Sequence, residues 1–159
     1  MSVVDEVTRA NEQYAAEFGK GALPAPPGRK FAVVTCMDAR LDPARFLGLE
    51  EGDAHVIRNA GGLVNDETIR SLVISHHLLG TQEAIVIGHT DCGMLTFTNA
   101  DVHDRLGPES ENIDFQPFSD VAERVRQSVE TIRSHPLLAD SFGATGFVYD
   151  VASGRIEPV

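Results

Sequence analysis

The chain has 159 residues, of which 42% are hydrophobic and 23% charged, and this balance indicates a single globular domain spanning residues 1–159. Its 24 acidic side chains outnumber the 13 basic ones, so the net charge of -11 argues against binding to nucleic acid or to an anionic membrane surface. Two cysteines are too few for a disulfide scaffold, and reduced thiols favour a cytoplasmic location.

Residues 1–28 are predicted to form an N-terminal helix followed by a proline-rich connector. The helix covers residues 3–19, and the connector over residues 23–28 reads Leu-Pro-Ala-Pro-Pro-Gly, which is stiff and extended. The segment Met1–Glu6 contains acids and no apolar stretch, so we expect no secretory signal there. No apolar run in the chain approaches the ~18 residues that a membrane span needs.

Short strands alternate with helices from residue 31 onward. Strands are predicted at 31–35, 54–58, 84–88 and 146–151, helices at 66–79 and about 119–134, and a loop with room for a short helix at 99–118. Strands rich in β-branched residues that alternate with helices indicate an α/β domain with a central, mostly parallel sheet. Binding sites in such sheets form beyond the carboxyl ends of the strands.

Three side chains that can bind zinc lie at strand ends in this scheme. Cys36 directly follows the first strand, His89 directly follows the third, and Cys92 comes three residues after His89. Each cysteine taken alone is more simply a buried apolar residue. Together, two thiolates and one imidazole at the same sheet edge favour one zinc ion per chain, and three protein ligands with a free fourth position are typical of catalytic zinc sites.

Two charged residues, Asp38 and Arg40, follow Cys36 closely. An ordinary surface ion pair at these positions would contribute roughly 0–1 kcal/mol to stability. Next to a metal, Asp38 can instead become the fourth ligand or accept a hydrogen bond from zinc-bound water. A bidentate grip by Arg40 would decide between the two positions, and the residues themselves leave both open.

A glycine-rich segment, Asn59-Ala-Gly-Gly62, follows the second strand at the same edge of the sheet. Gly61 and Gly62 suit either an ordinary turn or a close approach of the backbone to a substrate, and both residues are candidates for substrate binding. Arg58, just before them, is expected to play a structural role. His76 and His77 lie in the middle of a predicted helix and are expected to be packed or solvated histidines.

Three motifs in this order resemble those of the β-class carbonic anhydrases: Cys36-Met-Asp-Ala-Arg40, Arg58-Asn-Ala-Gly-Gly62 and His89-Thr-Asp-Cys-Gly93. The segment 146–154 is also similar to the last strand and turn of that family. The likeness covers about residues 30–155, and the length is that of the compact members. The resemblance implies reversible hydration of carbon dioxide to bicarbonate and a proton, by attack of a zinc-bound hydroxide.

The resemblance also implies roles for individual residues. Cys36, His89 and Cys92 would hold zinc, and Asp38 and Arg40 would form a catalytic dyad in which Asp38 can close the fourth zinc position. The family relationship implies a homodimer or a higher homo-oligomer, with the N-terminal helix packed on the partner. The chain has no tryptophan, the residue that some members use in a non-catalytic bicarbonate pocket, so we do not expect that pocket here.

Two other functions remain open from the sequence. A hydrolase for carbonyl sulfide or carbon disulfide could use the same scaffold, because both molecules are linear like carbon dioxide. A non-catalytic zinc protein with a closed Cys-Asp-His-Cys site is the other alternative. The presence of both Asp38 and Arg40 favours catalysis over this last function.

Overall fold

A five-stranded sheet with the order β2-β1-β3-β4-β5 forms the centre of the protein, in a computed structural model that describes residues 2–159. The strands are β1 (Phe31–Cys36), β2 (Ala54–Asn59), β3 (Glu83–His89), β4 (Gly143–Tyr149) and β5 (Ile156–Pro158). Strands β1 to β4 are mutually parallel, and β5 runs antiparallel to β4. The predicted α/β fold with a mostly parallel sheet is therefore confirmed.

The described part of the chain contains five α-helices, and each begins after a polar residue that caps it. They are α1 (Val3–Ala16), α2 (Pro43–Leu47), α3 (Asp66–His77), α4 (Asn99–Leu106) and α5 (Val121–Ser134), and short 3-10 turns cover Gly93–Leu95 and Pro108–Ser110. Each α-helix is preceded by a side chain that accepts a hydrogen bond from the backbone N–H three residues later. These N-caps are Ser2, Asp42, Asn65, Thr98 and Asp120.

The core lies on both faces of strand β1, which is buried along its whole length. On one face, Ala32 and Val34 pack with apolar residues of α3 and α5, including Leu72 and Ile132. On the other face, Val33 packs in a second cluster that includes residues of α2 and β3. Burial on both faces explains why the sequence of β1 is continuously apolar up to Thr35, as in central parallel strands generally.

Helix α1 stands apart from this core. No residue of Val3–Ala16 is buried, and Val3, Val4 and Val7 are 73%, 70% and 58% exposed. The helix ends three residues earlier than predicted. Within residues 2–159, none of the helices has the length and apolar character needed to cross a bilayer.

Several element boundaries differ from those predicted. Strand β4 begins at Gly143 and ends at Tyr149, earlier than the predicted 146–151, and helix α4 occupies the first half of the predicted loop. Cys36 and His89 are the last residues of their strands rather than the residues after them. Helix α2 and strand β5 were not predicted, because segments of five and three residues are too short to show a period.

Candidate metal centre

Cys36, His89 and Cys92 come together at the carboxyl edge of the sheet. Strands β1 and β3 are neighbours, so their last residues, Cys36 and His89, lie side by side, and the turn after β3 brings Cys92 to the same place. The ligand atoms of the three side chains all lie within 4.8 Å of one another. The residues are 5%, 1% and 3% exposed, so water is largely excluded from these atoms. Within residues 2–159, no other group of His, Cys, Asp or Glu has this geometry.

The imidazole of His89 is oriented for metal binding. Its Nδ1 lies 2.9 Å from the carbonyl oxygen of Thr90, and because a carbonyl can only accept, Nδ1 carries the proton. In the neutral imidazole the lone pair is therefore on Nε2, which is buried and has no hydrogen-bond partner in residues 2–159. A buried nitrogen without a partner is costly unless something binds it. A zinc ion, which prefers thiolate and imidazole ligands, fits this donor set.

The pKa values of the two buried thiols shift in opposite directions. The hydrogen bond from Cys92 holds the pKa of the Cys36 thiol well below its usual range, and His89 and the backbone N–H of Gly61, 3.4 Å from Cys36 Sγ, act in the same direction. The hydrogen bond with Cys36 raises the pKa of the Cys92 thiol, and burial adds to this rise. A bound cation would favour the deprotonated form of both thiols, because thiolates rather than thiols are metal ligands.

Asp38 lies beside these three residues and is held by Arg40. Nε and Nη2 of Arg40 donate to the two carboxylate oxygens of Asp38 at 3.0 and 2.8 Å, and the backbone N–H of Arg40 adds a bond of 2.9 Å. These bonds hold the pKa of the Asp38 carboxyl well below its usual range. Asp38 Oδ2 is 3.8 Å from His89 Nε2, so the ionised carboxylate is adjacent to the three ligand atoms while bound to the guanidinium.

Arg40 has a second acidic partner, Asp91, which the sequence reasoning missed. Nη1 of Arg40 donates to Asp91 Oδ2 at 2.7 Å, and Nη2 donates to the backbone oxygen of Asp91 at 2.9 Å. Asp91 has a φ of 54°, a left-handed conformation that aspartate tolerates better than most residues. The only available signal was the acidic residue inside the His89-Thr-Asp-Cys motif, since the contact depends on β1 and β3 being neighbours.

Arg58 connects β2 to the backbone around the site. Its Nε donates to the carbonyl oxygen of Cys36 at 2.9 Å, and its Nη2 donates to that of Asp38 at 2.8 Å. The guanidinium therefore fixes the chain segment that presents the cysteine and the aspartate. This agrees with the structural role predicted for Arg58.

The two candidate glycines differ in what surrounds them. Gly61 lies in the wall of the cavity beside Cys36 and donates its N–H to that thiol. Gly62 has a φ of 63°, and a Cβ atom there would stand 2.8 Å from the backbone carbon of Thr35 and 2.9 Å from the nitrogen of Cys36. The absence of a side chain at Gly62 thus lets this turn pack directly against β1. Gly61 faces the cavity, whereas Gly62 supports the ligand strand.

A cavity of about 300 Å³ opens beside the site, and its wall includes Cys36, Cys92 and Asp38. Most of its wall is apolar, and among the described residues that line it Asp38 is the one ionisable group apart from the two cysteines. The remaining lining residues are Met37, Ala60, Gly61, Gly93, Met94 and Phe97. Such a space suits a small uncharged molecule better than a large polar one.

The chain is similar in sequence and in structure to carbonic anhydrases. A sequence model of the carbonic anhydrase family matches residues 31–115. Beta-carbonic anhydrase 1 of Mycobacterium tuberculosis is 48% identical over 169 aligned positions, which cover 100% of this chain and 99% of that protein. The chain belongs to the β-carbonic anhydrase family. The crystal structure of a carbonic anhydrase from Streptococcus mutans, 45% identical, superposes with a TM-score of 0.93 over 100% of this chain and 98% of that one.

The chain is also similar to proteins that are named for a different activity. A carbon disulfide hydrolase of an Acidianus species is 34% identical over 181 aligned positions, covering 97% of this chain and 87% of that protein. The identity to this hydrolase is lower than that to the mycobacterial carbonic anhydrase, although both extend over nearly the whole chain. The family relationship by itself therefore admits two kinds of substrate, both small and linear.

Proposed function

We propose that the protein catalyses the zinc-dependent, reversible hydration of carbon dioxide to bicarbonate and a proton. The observation that carries this proposal is the buried group of Cys36, His89 and Cys92, with the free Nε2 of His89 beside an Asp38 carboxylate that Arg40 holds. The 48% identity to a mycobacterial β-carbonic anhydrase over the full chain supports the same function. A single domain over residues 1–159 and a cytoplasmic location complete the proposal.

The ligand residues and the aspartate divide the chemistry between them. A zinc ion held by Cys36, His89 and Cys92 would supply the Lewis acidity that makes water nucleophilic near neutral pH. Asp38, kept ionised and in place by Arg40, can accept a hydrogen bond from the attacking water and so direct an oxygen lone pair towards the substrate carbon. Arg40 acts through Asp38, because its donors point to the two aspartates.

The cavity provides a place for carbon dioxide next to that water. Met37, Ala60, Met94 and Phe97 present apolar surface, which suits a linear molecule without charge or dipole. Gly61 completes the wall without a side chain of its own. The site is open to solvent on the side of the cavity mouth, so bicarbonate can leave directly into water.

We also propose that the protein works as a homodimer or a higher homo-oligomer. Helix α1 has 14 residues, none of them buried, and its valines are largely exposed. An isolated helix of this length is marginal in water, so α1 gains stability if its apolar side is covered by a second copy of the chain. Sedimentation analysis tests this, and a monomer at micromolar concentration would contradict it.

The decisive experiment measures zinc content and carbon dioxide hydration on the same preparation. We expect about one zinc per chain and a hydration rate that rises from neutral to alkaline pH, since the pKa of zinc-activated water is about 7. Zinc without hydration at any pH would contradict the proposed activity while leaving the metal site intact. Absence of zinc would contradict both.

The named activity of the Acidianus relative supports a second candidate, the hydrolysis of carbon disulfide or carbonyl sulfide. A panel of the three substrates at equal concentration distinguishes the two functions on one preparation. We expect carbon dioxide to be preferred, in keeping with the higher identity to the carbonic anhydrase. Faster turnover of either sulfur compound would reverse the assignment.

Replacement of Asp38 tests the division of roles. We expect Asp38→Ala to keep its zinc and to lose hydration by about 10²-fold or more, the usual contribution of a positioned acid–base group. Asp66→Ala is a matched control, because Asp66 is an exposed aspartate in the first turn of α3. Equal rates in the two variants would remove Asp38 from the mechanism.

A further inference from the structure

We propose that Thr90 and Asp150 are positioning residues for His89, which fix its ring and its tautomer through a chain of hydrogen bonds from the β4–β5 turn. The proposal rests on the proposed zinc site and adds residues to it that lie outside the ligand set. It also gives a role to the C-terminal turn around Ser153 and Gly154, which the proposed chemistry does not use.

The ring of His89 is oriented by the peptide group that follows it. The carbonyl oxygen of Thr90, 2.9 Å from Nδ1, is the partner that keeps the proton on Nδ1 and the lone pair on Nε2. If that carbonyl turned away, either nitrogen could carry the proton, and Nε2 would be available to a cation for only part of the time. The position of the Thr90 peptide group therefore controls how well His89 is prepared as a ligand.

Thr90 is itself held at two further atoms, its backbone nitrogen and its hydroxyl oxygen. Its N–H donates to the carbonyl oxygen of Tyr149 at 2.9 Å, which continues the β3–β4 ladder by one residue. Its hydroxyl donates to Asp150 Oδ1 at 3.2 Å and accepts the N–H of Val151 at 3.0 Å. Thr90 is exposed, so water would compete for these groups without such partners. The hydroxyl thus links the residue after His89 to the turn that follows β4.

The Asp150 side chain is itself held by the turn that follows β4. Its carboxylate accepts the N–H of Ala152 at 3.0 Å and the hydroxyl of Ser153 at 2.6 Å. Its backbone accepts the N–H of Gly154 and donates to the carbonyl oxygen of Arg155, both at 2.8 Å. These bonds close the turn between β4 and β5 and leave Oδ1 directed at Thr90. Through its contact with Thr90, Asp150 therefore couples the position of His89 to the β4–β5 turn.

Thr90 and Asp150 could also serve only to stabilise the turn, without any effect on His89. Two contacts of Asp150 distinguish this local role from the positioning role. The bond from Ser153 to Asp150 belongs to the turn alone. The bond from Thr90 to Asp150 joins the turn to the residue next to His89. Removal of the Ser153 hydroxyl should disturb only the turn, whereas removal of the Thr90 hydroxyl should disturb the ligand.

The test measures the zinc dissociation constant of the full chain by competition with a chromophoric chelator. Thr90→Val keeps the shape of the side chain and removes the hydroxyl, Thr90→Ser restores the hydroxyl, and Ser153→Ala is the matched control in the turn. We expect Thr90→Val to bind zinc about 10-fold more weakly or worse, the usual effect of removing an outer partner of a metal ligand. Thr90→Ser and Ser153→Ala should bind zinc like the wild type.

A second readout reports the tautomer itself. In the metal-free protein, ¹⁵N spectra of the imidazoles should show His89 protonated on Nδ1 in the wild type and in Ser153→Ala, and a mixture of tautomers in Thr90→Val. If Thr90→Val proves unfolded in circular dichroism, Asp150→Ala is compared with Ser153→Ala: both variants lose the Ser153 contact, and Asp150→Ala also loses those with Thr90 and Ala152. Wild-type zinc affinity and an unchanged tautomer in the folded variant would overturn this inference alone. A wild type that binds no zinc would overturn the proposed function as well.

Discussion

Two histidines at opposite ends of the sheet illustrate how burial and hydrogen bonding separate a ligand from a packing residue. His89, at the carboxyl end of β3, is buried, and one of its ring nitrogens has no partner among the described residues 2–159. His76, near the amino end of the same strand, has both nitrogens occupied: Nδ1 donates to the carbonyl of Thr81 at 2.6 Å, and Nε2 lies 2.8 Å from the hydroxyl of Ser141. The ring of His76 also packs on Phe142, 5.1 Å away.

The two histidines differ in how many of their ring nitrogens find a hydrogen-bond partner among the described residues. His76 joins α3 to the segments around β3 and β4 and needs nothing more, so it is a structural residue, as predicted for it from the sequence. The fold around His89 satisfies only Nδ1 and places two thiols within 4.8 Å of the free nitrogen. An unsatisfied nitrogen beside soft donors is the physical mark of a metal site.

The largest expected effect comes from exchanging each histidine for alanine. We expect His89→Ala to lose bound zinc and all hydration activity, because one of three ligands disappears. We expect His76→Ala to keep zinc and to lose about 1–3 kcal/mol of the free energy of unfolding, since it leaves two partners and a ring contact unfilled. Metal analysis and urea unfolding on both variants check this. Full zinc occupancy in His89→Ala would contradict the role of His89 as a ligand, and zinc loss in folded His76→Ala would contradict a purely structural role of His76.

How much of this could be predicted from the sequence depends on the range of the interactions. Strands such as β1 are continuously apolar and β-branched, so their positions followed from local patterns, and with them the meeting of Cys36 and His89 at one edge. The contact of Arg40 with Asp91 joins two loops across the sheet and requires a left-handed residue, and neither property leaves a periodic signal. The free Nε2 of His89 likewise becomes visible only when all surrounding atoms are placed.

A smaller effect is expected from Arg40, which holds Asp38 next to the ligand atoms. Arg40→Ala removes the main cause of the lowered pKa of Asp38, so this pKa should rise towards its ordinary value of about 3.9. Asp38 then still carries its charge at neutral pH but is no longer held, and it lies 3.8 Å from His89 Nε2. The free carboxylate can compete with water for the metal, and water competes better as the pH rises.

We therefore expect the hydration profile of Arg40→Ala to move to higher pH while zinc content stays unchanged. Arg45→Ala is a suitable control, because it removes an exposed arginine of α2 that donates no side-chain hydrogen bond to Asp38. An unchanged profile in Arg40→Ala would show that the grip on Asp38 does not control the site.

Replacing Gly62 or Gly80 with alanine adds the same methyl group at opposite edges of the sheet. Gly62 and Gly80 both have a positive φ, 63° and 76°, so alanine is strained at either position by about 1–2 kcal/mol. At Gly80 no atom of the part of the chain that the structure describes lies within 4 Å of the added Cβ. At Gly62 the Cβ would meet the backbone of Thr35 and Cys36 at 2.8 and 2.9 Å. Because backbone cannot yield as a flexible side chain does, Gly62→Ala must displace either its own turn or the end of β1 that carries Cys36.

We expect Gly80→Ala to lower the free energy of unfolding by only that strain of about 1–2 kcal/mol and to bind zinc normally. Gly62→Ala should lose more stability than Gly80→Ala and should also bind zinc more weakly, since the shift moves a ligand. Urea unfolding and chelator competition measure the two effects separately. Equal stability losses would mean that the turn relaxes away from β1 freely. A large loss of stability with unchanged zinc affinity would mean that the position of Cys36 is set by Arg58 and the strand ladder, independently of the glycine turn.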